Sequence, residues 1–393
     1  IEDILASGNL TVTATGSGAI TLGAASTPMT VTGDTLITAT DSSGALTLDT
    51  DSTSNVTVLG GSAADTIVAD GTTATGKVHS IDGGAGDDTI TGGAGADTLI
   101  GGSGLDSITA GAGADNIDGG AGNDTIVMGV NLTSTDTLSG GDGTDTMTFT
   151  TAEVTTSLNT TNIETIQVIT AGTHTIAMAG TSGVTRLINA DGGDNTVTVT
   201  GLADGAIFRN VDDADVLTID TADGASLTYE ANDAANNTAI TFTDVVSLSI
   251  QNALTTAGNV STGTGNLVLD NTDTTTLSLV GSTVAGNDLT VDNITSTNAL
   301  STFSMTTSTT GALNAGTIAD VDALTSLTLT AVNGAIALET LGTDAAANNA
   351  ELLATITASA SGANVSVDDI YADSVTDSAT DLAMTVTASA ASG

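Results

Sequence analysis

Between residues 83 and 127 an aspartate recurs at every ninth position, as Asp88, Asp97, Asp106, Asp115 and Asp124. The units read GGAGDDTIT from Gly83, GGAGADTLI from Gly92, GGSGLDSIT from Gly101, AGAGADNID from Ala110 and GGAGNDTIV from Gly119. Ile90, Leu99, Ile108, Ile117 and Ile126 keep the same interval. Asp is a short carboxylate. Set in a tight loop among glycine carbonyls, it offers an oxygen-only environment, the kind that hard divalent cations take. Residues 128–139 interrupt the run, a further unit (GGDGTDTMT) starts at Gly140, and a degenerate copy (GGSAADTIV) starts at Gly60.

These carboxylates need elements that bring them together. The glycines allow positive φ, which a tight turn demands. The tail of each unit, such as Thr89-Ile90-Thr91, reads as a very short strand with one inward apolar residue. Loop plus strand makes half a coil, so two units make a full turn and residues i and i+18 stack about 4.8 Å apart. Asp88, Asp106 and Asp124 then form one column, and Asp97 and Asp115 the other. Bare carboxylates at that spacing repel. A Ca²⁺ between successive loops removes the repulsion and uses turn carbonyls as further ligands, so metal binding and folding are coupled.

The charge balance of the 393-residue chain agrees. Three basic residues (Lys77, Arg186, Arg209) face 46 acids, a net charge of −43, and the acids are 40 Asp and only 6 Glu. Such a chain is no partner for nucleic acid or an anionic membrane surface, both of which require Lys and Arg. There is no cysteine, hence no disulfide framework or thiolate metal site. No apolar run reaches the roughly 18 residues of a transmembrane helix.

Outside the repeat the chain is a succession of short β-type strings separated by Gly, Asn, Asp and Ser, such as Leu10–Ala14, Thr196–Thr200 and Leu327–Thr330. A looser motif recurs at Ile163–Val168, Val245–Ile250 and Leu324–Leu329. The opening Ile1-Glu2-Asp3-Ile4 resembles the middle of such a unit, which reads as a segment of a longer protein. The expected fold is all-β: a parallel β-roll within a larger β-solenoid, with a β-roll plus β-sandwich modules as the alternative. The expected domains are a strand-rich segment at 1–59, a β-roll at 60–150 and a solenoid or sandwich region at 151–393. One helix is expected from Asp344 to Leu353, capped by Asp344.

The run from Gly83 to Val127 resembles the RTX family, the nonapeptide-repeat calcium-binding β-rolls of proteins exported by type I secretion. Their pattern is G-G-x-G-x-D-x-U-x, with U a large apolar residue, and only Ala110 departs from it, at a first glycine. The resemblance implies several Ca²⁺ ions and a ligand scheme. One loop gives its second and fourth carbonyls and its Asp; the loop 18 residues on gives its first and third carbonyls and its Asp. Carried over, Gly84, Gly86 and Asp88 join Gly101, Ser103 and Asp106. Gly93, Gly95 and Asp97 join Ala110, Ala112 and Asp115. Gly102, Gly104 and Asp106 join Gly119, Ala121 and Asp124. A fourth ion joins Gly120, Gly122 and Asp124 to Gly140, Asp142 and Asp145 if the interruption loops out. The Thr-, Ala-, Val- and Asp-rich second half also resembles bacterial surface-layer proteins that carry such repeats.

Catalysis needs groups that this sequence mostly lacks, paired carboxylates excepted. His79 and His174 stand far apart without an H-E-x-x-H, and each reads as a surface or strand residue. No G-x-S-x-G elbow is present. Tyr229 and Tyr371 are the only Tyr and there is no Trp, which leaves little for a sugar to stack on, and polyuronates would be repelled. The expectation is therefore a non-enzyme: a secreted, calcium-stabilised structural protein that self-assembles into a bacterial cell-surface layer or filament through calcium-mediated contacts with its own copies, with cell-surface polysaccharide as a further partner. The alternative is a segment of a calcium-dependent RTX adhesin, of which an ice-binding solenoid with Thr196, Thr198 and Thr200 in a flat ladder is a special case. Asp212-Asp213 and Asp368-Asp369 read as solvated loops, and Asp191-Gly192-Gly193-Asp194 as a further candidate calcium loop.

Overall fold

The computed structural model describes residues 5–23, 28–50, 54–69, 77–150, 155–169, 172–190, 196–211, 216–231, 239–252, 260–261, 267–269, 274–291, 293–296, 299–319, 324–341, 355–361 and 364–370. Among these residues there are strands and no helix. The helix expected at 344–353, the Asp191–Asp194 and Asp212-Asp213 loops, Tyr371 and the opening Ile1–Ile4 lie outside the described residues. The chain divides into two compact units, Ile1–Ile169 with Ala179–Thr185, and Thr170–Met178 with Arg186–Gly393.

In the first unit, short strands stack in parallel into two ladders. One sheet orders Leu10–Gly16, Thr35–Ser42, Val56–Leu59, Ser80–Ala85, Thr98–Ser103, Asn116–Ala121, Thr137–Asp142, Thr160–Thr161 and Thr181–Ser182. The other contains Ile20–Leu22, Leu46–Asp49, Thr66–Val68, Thr89–Ala94, Ser107–Ala112, Thr125–Gly129, Thr146–Phe149 and Thr165–Val168. Within the repeat the register is the 18-residue coil: Ile90 pairs with Ile108, Ile108 with Ile126, and Leu99 with Ile117. The two expected Asp columns follow from that register.

The core is a file of one apolar residue per half-coil. Leu22, Leu48, Ile67, Ile90, Ile108, Ile126, Met147 and Ile166 form one file; Ile37, Val58, Ile81, Leu99, Ile117 and Leu138 form the other. All are buried. Each such side chain contributes about 1.5–3 kcal/mol by leaving water. Neighbouring Thr, Ser and Asn point outward, which is why the strands alternate.

The loops are held by glycine at two of their positions. Gly102, Gly104, Gly120 and Gly122 have φ of +113°, +145°, +105° and +138°. A Cβ on Gly122 would also collide with the backbone carbonyl of Gly104 in the preceding coil. Gly122→Ala is therefore expected to destabilise the first unit by about 3 kcal/mol or more, through left-handed strain plus backbone displacement. A urea-unfolding midpoint close to that of the parent would contradict this. The first position of each loop does not require positive φ, and Ala110 sits there, fully buried, without it.

The second unit has the same parallel stacking with longer and less regular coils. Leu187, Phe208, Tyr229, Ile250, Leu279, Met305 and Leu329 form one buried file in register. Aromatic rings meet within this core: Phe208 stacks on Tyr229 at 6.1 Å and Tyr229 meets Phe242 edge-on at 5.8 Å. A second ladder joins Leu289–Val291, Leu313–Ala319, Ile336–Leu341 and Val365–Ile370. Sandwiches are built of antiparallel strands packed face to face. The parallel ladders here decide for the solenoid. Arg186 and Arg209 both bind the Glu230 carboxylate at 2.6 Å, so these two cations are used in holding successive coils together.

Candidate functional site

Parallel stacking turns the nine-residue spacing into a chain of hydrogen bonds along each column. The backbone N–H of Asp88 donates to Oδ1 of Asp106 at 2.8 Å, and that of Asp106 to Oδ1 of Asp124 at 2.8 Å. In the other column the Asp97 N–H donates to Asp115 Oδ1 at 2.9 Å. Each carboxylate thereby stitches its loop to the one beneath.

The columns extend beyond the residues expected from the repeat. The first begins at Asp65, whose N–H donates to Asp88 Oδ1 and whose own Oδ1 accepts from Leu46. It continues through Asp145, which accepts from Asp124, to Glu164, whose Oε2 accepts from the Asp145 N–H at 2.7 Å. The second begins at His79 and ends at Asp136. His79 is buried, so the reading of it as a surface residue is corrected. Its Nδ1 accepts from the Val56 N–H at 3.1 Å, which puts the proton on Nε2, and burial lowers its pKa so that the ring stays neutral. His174 is also buried, within the His174–Ala177 strand.

The interruption at 128–139 is corrected as well. Thr137, Leu138 and Ser139 pair with Asn116, Ile117 and Asp118, and Asp136 takes the aspartate position. Residues 131–139 are thus a unit whose glycines have been replaced, preceded by a three-residue insertion, Met128-Gly129-Val130. The signal that betrays it is Asp136 followed two residues later by Leu138.

The second oxygens place seven of the eight column aspartates, all but Asp115, in two groups. Oδ2 of Asp88, Asp97, Asp106, Asp124 and Asp145 is buried and has no hydrogen-bond partner. Asp65 Oδ2 instead receives the Gly61 N–H at 3.1 Å, and Asp136 Oδ2 receives the Thr133 N–H and hydroxyl at 2.7 and 3.2 Å. The unpartnered oxygens all meet the same corner: a Cβ placed on the first glycine of the unit would strike both the aspartate Oδ2 and the first-position carbonyl of the next coil. Gly83 meets Asp88 Oδ2 and the Gly101 carbonyl; Gly92 meets Asp97 and Ala110; Gly101 meets Asp106 and Gly119; Gly119 meets Asp124 and Gly140.

Other members of the expected ligand set are placed differently. The third-position carbonyls of Ser103, Ala112, Ala121 and Asp142 accept the N–H of Gly86, Gly95, Gly104 and Gly122 at 2.6–2.8 Å. The second- and fourth-position carbonyls of Gly84, Gly86, Gly93, Gly95, Gly102, Gly104, Gly120 and Gly122 face the glycines of the following loop. No group of three or more His, Cys, Asp or Glu side chains gathers at one point among the described residues. The groups that a cation would meet here are two stacked carboxylates and main-chain oxygens, a hard all-oxygen donor set of the kind that suits calcium.

The burial has an electrostatic cost. Asp88 is raised to about 7, by burial first and then by the charges of Asp106, Asp65 and Asp87. Burial raises Asp97 to about 6, and burial with Asp97 and Asp136 raises Asp115 to about 6. Asp106, Asp124 and Asp145 are raised for the same reason. Two charges at the strand spacing of about 4.8 Å repel by about 3 kcal/mol at an effective dielectric of about 20. Lys77 is the single Lys or Arg in the first unit.

A family model described as the RTX calcium-binding nonapeptide repeat matches residues 80–107, 91–126 and 133–149, in four copies. No curated protein and no solved structure matches the chain.

Proposed function

Since this chain carries the RTX calcium-binding repeat within residues 80–149, we propose that it is a secreted structural protein whose β-roll is cured by several Ca²⁺ ions and which assembles with copies of itself into a cell-surface layer or filament. The observation that carries the calcium part is the set of five buried aspartates, each with one oxygen left without a partner. Leaving such a group bare costs several kcal/mol, and a divalent cation supplies what the chain cannot. The loops would hold it through the stacked Asp pairs and the first-position carbonyls beside them. Bound calcium would supply charge neutralisation between coils.

The assembly part rests on composition and on the repeat. Proteins with this repeat are typically secreted. A net charge of −43 sets copies against one another, and cations shared between them would offset that repulsion. Among the described residues no helix is long and apolar enough to cross a membrane. Negative-stain electron microscopy of the protein in millimolar calcium is expected to show regular sheets or fibres that dissolve in EGTA. Monodisperse particles at every calcium concentration would overturn the assembly reading.

One observation favours the adhesin reading. In the second unit an open depression of about 410 Å³ is lined by Thr290, Asn293, Asn314 and Glu339 on its polar side and by Val291, Ala315, Gly316 and Ala337 on its apolar side, a mixed lining that offers hydrogen bonds to sugar hydroxyls. Glycan-array binding abolished by Glu339→Gln, with no assembly by microscopy, would decide for it.

A further inference from the structure

The first carboxylate column does not stop where the repeat stops. Between the paired residues Ser139↔Thr161 and Thr146↔Thr165, the lower coil has six residues, 140–145, and the upper has three, 162–164. The upper turn is not a glycine loop. It is made by Asn162, with φ +52°, and Glu164. Glutamate is one methylene longer than aspartate, and that length lets it cross the shortened turn and accept the Asp145 N–H.

The corner formed here matches those lower in the column. A Cβ on Gly140 would strike the Asn162 carbonyl and Asp145 Oδ2, just as one on Gly101 would strike the Gly119 carbonyl and Asp106 Oδ2. Asp145 is fully buried and its Oδ2 has no partner. Gly141 and Gly143 below have φ of +106° and +147°, the conformation of the metal-type loops. The negative charges of Asp124 and Glu164 add to burial in raising the Asp145 pKa.

We propose that Asp145, the last repeat aspartate, together with Glu164 and the Asn162 carbonyl, both beyond the nonapeptide repeat, forms a further calcium site that closes the top of the column. The site rests on the reading of the roll as calcium-bound. Glu164 replaces the repeat aspartate there, so a turn with no glycine motif serves as the last step of the metal ladder. A capping ion also explains how a coil of different length is joined to the roll without leaving Asp145 bare.

The test uses the full chain with its glutamates ¹³C-labelled at the carboxyl carbon, so that only 6 resonances are followed while CaCl₂ is titrated in. One glutamate resonance is expected to move on calcium binding and to be missing in Glu164→Gln. That variant keeps an oxygen acceptor for the Asp145 N–H, and its calcium count by equilibrium dialysis is expected to fall by one ion. If the parent binds several ions while the Glu164 resonance stays still, the capping site is overturned and the roll reading stands. If the parent binds no calcium, the roll reading falls and the capping site with it.

Discussion

Asp106→Asn is expected to reverse the sign of its effect on stability when calcium is added. Asp106 sits mid-column, its Oδ1 on the Asp88 N–H and its Oδ2 unpartnered at the Gly101 corner. The amide keeps an oxygen for the Asp88 N–H and removes one buried charge from between Asp88 and Asp124. In chelator the variant is expected to be as stable as the parent or more so, because column repulsion falls. In calcium it loses the two ions that Asp106 is proposed to share, one with Asp88 and one with Asp124. A site filled at about 100 times its Kd stabilises by about 2.7 kcal/mol, so the loss is about 5 kcal/mol. Calorimetric titration gives the ion count, and thermal unfolding in EGTA and in calcium gives the two signs. An unchanged calcium count would show that the carboxylate is a hydrogen-bond stitch and no ligand.

The second large effect is the pH dependence of the calcium-free protein. Asp88, near 7, and Asp97 and Asp115, near 6, lie above the ordinary carboxylate value because burial disfavours their charge. Between the unfolded value near 4 and these raised values the folded chain binds more protons than the unfolded chain. Stability is therefore greatest at the acidic end and is lost as pH rises through 6 to 7. Thermal unfolding in EGTA is expected to show a first unit less stable at pH 8 than at pH 5.5 by on the order of 3 kcal/mol, allowing for water around the loops. That is a drop of roughly 6–12 °C. In calcium the slope is expected to invert, because the ligands bind metal only when deprotonated. A calcium-free protein that gains stability between pH 5.5 and 8 would contradict the buried-carboxylate account.

Both predictions turn on residues whose phase was visible in the chain. Asp88, Asp97, Asp106, Asp115 and Asp124 could be placed in two columns from their spacing, because a parallel coil converts a constant interval into constant neighbours. Ile90 and Ile108 face inward for the same reason. The all-β solenoid followed from period-two strings between glycine corners, and in the described residues of the second unit parallel register set it apart from a sandwich.

What the interval alone left out of the ligand scheme are three column members that break it. Asp65 stands 23 residues before Asp88, Asp136 stands 21 after Asp115, and Glu164 stands 19 after Asp145. His79 does keep the nine-residue phase before Asp88, yet its residue type hid it. Sequence determined the repeat, its glycine corners and its uncompensated negative charge, since these depend on local backbone freedom and on composition. Only the tertiary structure decided which oxygens are stitched to an amide and which are left bare, and where the columns end. Those depend on how coils of unequal length stack, and stacking is set by strand register across the ladder, which no interval along the chain encodes once an insertion or a deletion intervenes.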